Sequence, residues 1–309
     1  MKVITKQAFA DAREFIHDRA RPLDRALFRF HFESGSAAQV LRELAPYQND
    51  DGGFGHGLEA DQHAAASSAV ATGIAAAVFR EVRAPADHPL VLRAIAYLVK
   101  TYDRHRQIWE IVPPAVEDAP HAPWWSYADI ETTFDGSRIN PMAGIIGALY
   151  DYPALVPGVL LDEVTGVLLE RLRSRGRRIA SDEFKCIVFL AETEHLRPAV
   201  REQVRVDAVA AVADSIEFDP TRWEEYRLQP LEVLHSPASF LAPAIDPAAV
   251  QTNLDYWVDL QQPDGGWPLT WSWAEIDAEA WVRAEADARG HVTVERLRAL
   301  RAHGRLDAS

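Results

Sequence analysis

Nine consecutive residues, Gly55-His56-Gly57-Leu58-Glu59-Ala60-Asp61-Gln62-His63, carry two histidines and two carboxylates on a glycine-flanked segment. The stretch that follows, Ser67 to Val82, is rich in Ala and Gly and reads as a helix packed on several sides, so the segment lies at a helix entrance. A carboxyl beside a like charge in apolar surroundings is pushed toward its protonated form. Asp61 would then be a general acid, Glu59 its tuner, and His56 and His63 ligand contacts. A metal reading takes His56, Asp61 and His63, but no standard ligand spacing supports it. The plainer reading is that Asp61 or Ser67 caps the next helix and the histidines are surface loop residues.

A second group lies in the polar, proline-rich stretch from Arg104 to Arg138, which also contains Trp109. A loop of this length inside a compact domain is more often functional than idle. Trp124, Trp125, Tyr127 and Phe134 can line a cavity and stabilise a carbocation through their ring faces. Asp129, Glu131 and Asp135 interleave with them. The same rings can instead pin the loop to the fold. Arg138, ahead of Asn140-Pro141, can hold an anion such as diphosphate at a helix N-terminus. Alternatively, Asn140 caps a helix whose first residue is Pro141. Trp223 and Tyr226, beside Arg227 in a second irregular stretch from Glu217 to Ala244, offer another part of a cavity wall or, for Trp223, core packing. Cys186, on an apolar face with Ile187 and Phe189, reads as a buried inert thiol. The pairs Arg177-Arg178 and Arg296-Arg298 read as solvated surface.

The elements that must position these residues are helical. Phe9, Ala12, Phe15 and Ile16 make one apolar face; Val40, Leu41 and Leu44 make another, ending at Tyr47. Leu90 to Tyr102, the Met142–Ile145–Ile146–Leu149 series, Val159 to Leu172, the run from Phe184 to Ala191, and Val200 to Ile216 follow. Val250, Leu254, Trp257 and Val258 lead to the last candidates, Ala274 to Arg289 and Val294 to His303. Asp87, Asn140, Ser181 and Asp246 stand where N-caps belong. No run of alternating strands is present. About a dozen helices, without a linker to split them, fit one α/α toroid domain over residues 1–309.

One segment occurs twice. Gln48-Asn49-Asp50-Asp51-Gly52-Gly53-Phe54 and Gln261-Gln262-Pro263-Asp264-Gly265-Gly266-Trp267 share Gln, two residues, Asp, Gly, Gly and an aromatic. Gly-Gly permits a sharp turn between helices, and Asp accepts from the N–H groups exposed there. The Gln can bridge to backbone of a neighbouring helix. The two segments resemble the Gln-Trp repeats of the prenyltransferase and squalene–hopene cyclase superfamily. The Gly266-Trp267-Pro268, Trp271, Trp273 and Gly290-His291-Val292-Thr293 ending is similar to that of short bacterial proteins carrying this repeat. The resemblance implies a terpenoid cyclase-like α/α toroid with an aromatic-lined central cavity for isoprenoid chains. Two departures qualify it. The Asp-x-Asp-Asp motif of class II cyclases is missing, the nearest string being Glu59-Ala60-Asp61-Gln62. Cys186 has Asp182 nearby but lacks the zinc-binding pattern of the protein prenyltransferases, so zinc-dependent prenyl transfer is not expected.

The whole chain bounds the rest. It has 309 residues, 48% of them hydrophobic, enough for a large core. A formal charge of −14 argues against nucleic acid as a partner. One cysteine excludes an internal disulfide. Neither a signal-peptide pattern nor a membrane-spanning stretch is evident, so a cytoplasmic location is expected. The expected function is acid-initiated cyclisation or isomerisation of an isoprenoid or other apolar small molecule. No cofactor is expected, unless Mg2+ accompanies a diphosphate substrate. The alternatives are a non-catalytic toroid binding a hydrophobic ligand or protein, and a carbohydrate-active toroid with paired carboxylates.

Overall fold

A computed structural model describes every residue except 135, 137, 177, 178, 308 and 309. Among the described residues the chain is all-α, with twelve α-helices and no strand. They are α1 (Lys6–Arg19), α2 (Pro22–Phe32), α3 (Ala37–Leu44), α4 (Ala69–Glu81), α5 (Pro89–Thr101), α6 (Ile130–Thr133), α7 (Ile139–Asp151), α8 (Gly158–Arg175), α9 (Ser181–Ala191), α10 (Pro198–Ser215), α11 (Pro247–Asp259) and α12 (Ala278–Ala302). Short 3-10 turns link them. The helices gather into two compact units, one of Met1–Val40 with Val212–Ser309, the other of Leu41–Ala211.

In Leu41–Ala211, α7 is apolar on nearly every side and packs against α4, α8 and α9. Arg80, in the last turn of α4, ties three of these helices together. Its guanidinium donates to Asp151 at 2.7 Å, to the Phe189 carbonyl at 2.6 Å and to the Thr193 hydroxyl at 2.7 Å. It also lies 3.3 Å over the Phe189 ring. Each nitrogen of this largely enclosed cation therefore donates one hydrogen bond, as burial of a charge favours.

In the other unit, α12 packs against α1 and α2. Both ends of the sequence meet here. Ile4 pairs with Leu306 in a parallel bridge, and the Arg305 side chain, fully buried, donates to the Lys2 carbonyl, Asp255 and Gln251.

Several expectations are corrected. No helix is expected over residues 22–32, yet α2 forms there with Pro22 in its first turn and Leu23, Ala26, Leu27 and Phe28 buried. Arginines at 21, 25 and 29 mask that apolar period. The two final helices are one: α12 runs through Gly290, whose missing Cβ leaves room for Ala20, 2.8 Å from where that carbon would be. The N-caps shift as well. Asp246 caps α11, accepting from Ala248 N–H at 2.8 Å. His88, not Asp87, caps α5, and Ser68, not Asp61 or Ser67, caps α4. Ala180 precedes α9, its N–H donating to Glu183, so Ser181 is the first helical residue. Arg296, expected at the surface, is 7% exposed. The pair Arg177-Arg178 lies outside the described residues.

The repeated segment folds into the same turn twice. Gln48 Nε2 donates to the Gly52 carbonyl and to the Leu90 carbonyl on α5, both at 3.0 Å. Gln261 Nε2 donates to the Gly265 carbonyl and to the Ala8 carbonyl on α1, both at 2.8 Å. Asp51 accepts from Gly53 N–H at 2.9 Å, and Asp264 from Gly266 N–H at 3.1 Å. Phe54 N–H reaches Thr72 on α4; Trp267 N–H reaches Thr293 on α12. Gly52 and Gly265 take φ of 94° and 89°, open to glycine but costly for other residues. The neighbouring helices even present the same positions. Leu90, Arg93 and Tyr97 of α5 meet the first turn at i, i+3 and i+7, as Ala8, Asp11 and Phe15 of α1 meet the second. Thus α1 stands to α12 as α5 stands to α4, although α1 opens the sequence.

The second turn is also an ion-pair centre. Asp264 meets Arg289 at 2.8 Å and Arg19 at 3.1 Å. Burial works to raise its carboxyl, but the Arg289 bond, the Gly266 N–H and the two guanidinium charges outweigh it and hold the carboxyl below the ordinary aspartate value. Its stabilising effect is present above the unfolded-chain value of about 3.9 and is lost as pH falls through the lower folded value. Asp264→Asn is expected to cost about 1–2 kcal/mol at neutral pH and almost nothing once the aspartate of the parent is protonated. Urea unfolding across the acid range checks this; a cost that persists at low pH would show that the charge is irrelevant.

Candidate functional site

The first turn feeds directly into the acidic segment. Phe54 N–H is fixed on Thr72, and its carbonyl accepts from Ser68 N–H at 3.0 Å. Residues 55–64 then leave and return as a loop, closed by His56 N–H donating to the Ala64 carbonyl at 2.9 Å. His56 takes φ of 57° at the surface, with Nε2 2.7 Å from Asn49 Oδ1. Asn49 Nδ2 already donates to the Ala65 carbonyl and the Ser67 hydroxyl, so Oδ1 is the acceptor and His56 carries its proton on Nε2. His56 thereby braces the loop against the turn.

The loop is joined along its far side to the start of the aromatic segment. Ala122 N–H donates to the Asp61 carbonyl at 2.8 Å, and His63 N–H to the Pro120 carbonyl at 3.0 Å. Gln62 and His121 face each other in this antiparallel bridge. Two stretches about sixty residues apart in sequence, each singled out for its chemistry, are thus one structural element. Asp61 is 5% exposed. Its own N–H is taken by Glu59 Oε1 at 3.2 Å, so one Glu59 oxygen clasps the backbone of the residue it was expected to tune. Gln62 Oε1 accepts from Ser68, the α4 cap, at 3.4 Å.

A 3-10 turn over Pro123–Trp125 carries the segment onward. Trp125 is buried and packs on Phe134, ring centroids 5.7 Å apart, while Trp124, Tyr127 and Phe134 are half-exposed. Glu117 organises the next bend, accepting from Ser126 Oγ at 3.1 Å and Ala128 N–H at 3.2 Å. Burial works to raise that carboxyl, but these donors, the Tyr127 N–H and the His121 charge hold it below the usual glutamate value. Arg138 is buried at φ 58° and pairs with Glu131. Asp135 lies outside the described residues. Asn140 has extended angles inside α7, so helical geometry begins at Pro141. Its Oδ1 faces the Cys186 thiol at 3.5 Å. Burial pushes that thiol up to about 12, which keeps it protonated and unreactive. Trp109 is structural: its indole N–H donates to the Leu98 carbonyl at 2.8 Å.

A feature that no sequence pattern announces is a surplus of donors. Gln62 Nε2, Trp125 Nε1 and Arg138 Nη1 are buried and have no hydrogen-bond partner among the described residues. Buried polar groups are almost always satisfied, so such atoms call for an acceptor from outside the chain.

Comparison with protein-family models, curated proteins and solved structures found no match to this chain.

Trp223 and Tyr226 belong to the other unit. Trp223 is wholly enclosed, donates its indole N–H to the Glu217 carbonyl at 2.8 Å and packs on Tyr256. Its place is that of a core residue. Tyr226 is 52% exposed and lies edge-on to Trp271. For the metal reading, no group of three or more His, Cys, Asp or Glu side chains among the described residues is arranged to hold an ion. No helix among them is long and apolar enough to cross a membrane.

Proposed function

We propose that the protein is a terpenoid cyclase-like α/α toroid that takes an isoprenoid, or a similarly apolar molecule with an acceptor-rich head group, against the acidic loop and the aromatic segment of Leu41–Ala211. The observation that carries this reading is the backbone bridge joining residues 61–63 to residues 120–122, which ties the loop of the buried Asp61 to the start of the aromatic segment. The unpartnered donors of Gln62, Trp125 and Arg138 suit a head group rich in oxygens, diphosphate included. The toroid itself is supported by the paired turns: each is a helix–turn–helix unit of one design, and α1 completes the unit that α12 begins.

In the catalytic form of this reading Asp61 donates a proton to an alkene, and Trp124, Trp125, Tyr127 and Phe134 stabilise the resulting cation through their faces. Asp61→Asn is then expected to abolish turnover while leaving ligand binding and melting temperature almost unchanged. Product formation from farnesyl or geranylgeranyl diphosphate, or from a squalene analogue, is the assay. If the variant loses only about 1 kcal/mol of stability and the parent turns nothing over, Asp61 is a loop strut.

A second reading, a non-catalytic module binding an apolar ligand, is favoured by how the loop spends its polar groups. Glu59 holds a backbone N–H and His56 braces the turn, so neither is free to serve an acid. This reading expects ligand stabilisation and no turnover.

A further inference from the structure

The unit formed by Met1–Val40 and Val212–Ser309 contains a buried polar network that is satisfied almost throughout. Gln229 is its hub. Its Oε1 accepts from Trp257 Nε1 at 2.7 Å and from Asn253 Nδ2 at 2.9 Å, and its Nε2 donates to the Trp223 carbonyl at 3.1 Å. Asn253 Oδ1 accepts from Leu231 N–H at 3.0 Å, and Gln229 N–H donates to Glu232 at 2.7 Å. The network fixes the Trp257 ring in one orientation.

Against that ring sits Arg296 of α12, its guanidinium carbon 5.1 Å from the ring centroid. The residue is 7% exposed, and its Nη1 is buried with no hydrogen-bond partner among the described residues. Burial lowers its pKa to about 10, so it remains a cation at neutral pH. Glu232 acts on it through charge, while one Glu232 oxygen is already taken by Gln229 N–H. The contrast with Arg80 and Arg305 is sharp. Those two guanidiniums, one largely and one fully enclosed, are met by acceptors on several sides, whereas Arg296 leaves its buried Nη1 without one. A buried N–H group of a cation left in this state is costly unless something supplies the acceptor.

We propose that Arg296 anchors a second ligand site, separate from the acidic loop, that takes the carboxylate of a small organic acid whose apolar body packs beside Trp257. A planar carboxylate matches the guanidinium fork, and the rigid indole supplies the apolar contact. One negative charge suits the site better than two, because Glu232 repels a phosphate dianion more strongly than a monocarboxylate.

The test uses the full chain and three variants, with benzoate as probe and inorganic phosphate and chloride at matched ionic strength as controls. Benzoate is expected to raise the melting temperature saturably in the parent, with smaller effects from phosphate and chloride. Arg296→Met should weaken the benzoate response at least tenfold while melting no lower than the parent without ligand, since an unpaired buried charge has been removed. Arg296→Lys should retain part of the response, and Tyr226→Ala, on an exposed residue outside the network, should leave it unchanged. The proposal is overturned if benzoate does no more than chloride, if phosphate outdoes benzoate, or if Arg296→Met responds as the parent does. It is also overturned if Arg296→Met melts well below the parent without ligand, because that assigns Arg296 a structural role. None of these results depends on isoprenoid binding at the acidic loop.

Discussion

Gly265→Ala is expected to destabilise the protein by about 2–5 kcal/mol. The left-handed backbone at φ 89° accounts for about 1–2 kcal/mol of this in any residue with a Cβ. The rest is collision: an added Cβ would lie 2.1 Å from the Asp11 carbonyl oxygen on α1, which must then move away. Such overpacking costs about 1–3 kcal/mol. Moving α1 also threatens the Gln261 bond to the Ala8 carbonyl, since both contacts fall on the same helix face. Gly52→Ala meets the Arg93 carbonyl oxygen at 2.4 Å and should cost a similar amount. Because the two turns lie in different units, the losses are expected to add in the double variant. Denaturant unfolding followed separately in each unit reads them out, through Tyr97 and Phe15 environments at the two turns. A Gly265→Ala protein as stable as the parent would show that the turn is not the clamp described.

Arg80→Leu is expected to cost about 3 kcal/mol, the lower end of the range for breaking a buried ion pair, since the two side chains keep 23% and 14% of their surface. The replacement leaves Asp151, the Phe189 carbonyl and the Thr193 hydroxyl without their donor, and α4, α7 and α9 lose a shared tie. Burial works to raise the Asp151 carboxyl, with the Arg80 charge opposing; without Arg80 it should titrate higher still. A cycle with Asp151→Asn should show the double variant costing less than the sum of the singles. Additive losses would mean that the two groups do not depend on each other.

Sequence pattern shows the helices because their apolar periods are long and regular, as in Met142, Ile145, Ile146 and Leu149 of α7. It shows the paired turns because glycine at a positive φ leaves a fixed residue signature. It misses α2, where arginines occupy the positions between the apolar ones, and divides α12 at Gly290, which serves close packing on Ala20 rather than a break. The candidate site is legible in pieces: Asp61 and Trp125 are each conspicuous, but the joining of their two segments rests on backbone bonds that carry no residue signature. Arg296 shows the limit most plainly. Beside Arg298 it reads as a surface cation, and only the packing of α12 turns it against Trp257.

The most direct test of the proposed function is the melting temperature of the purified protein titrated with farnesyl diphosphate, with an oligosaccharide panel alongside and each arm run with and without Mg2+. The account predicts a saturable rise with the isoprenoid, worth about 2.7 kcal/mol at a hundredfold excess over Kd, and none with sugars. No rise with farnesyl or geranylgeranyl diphosphate or squalene analogues, or a rise with oligosaccharides alone, would contradict it.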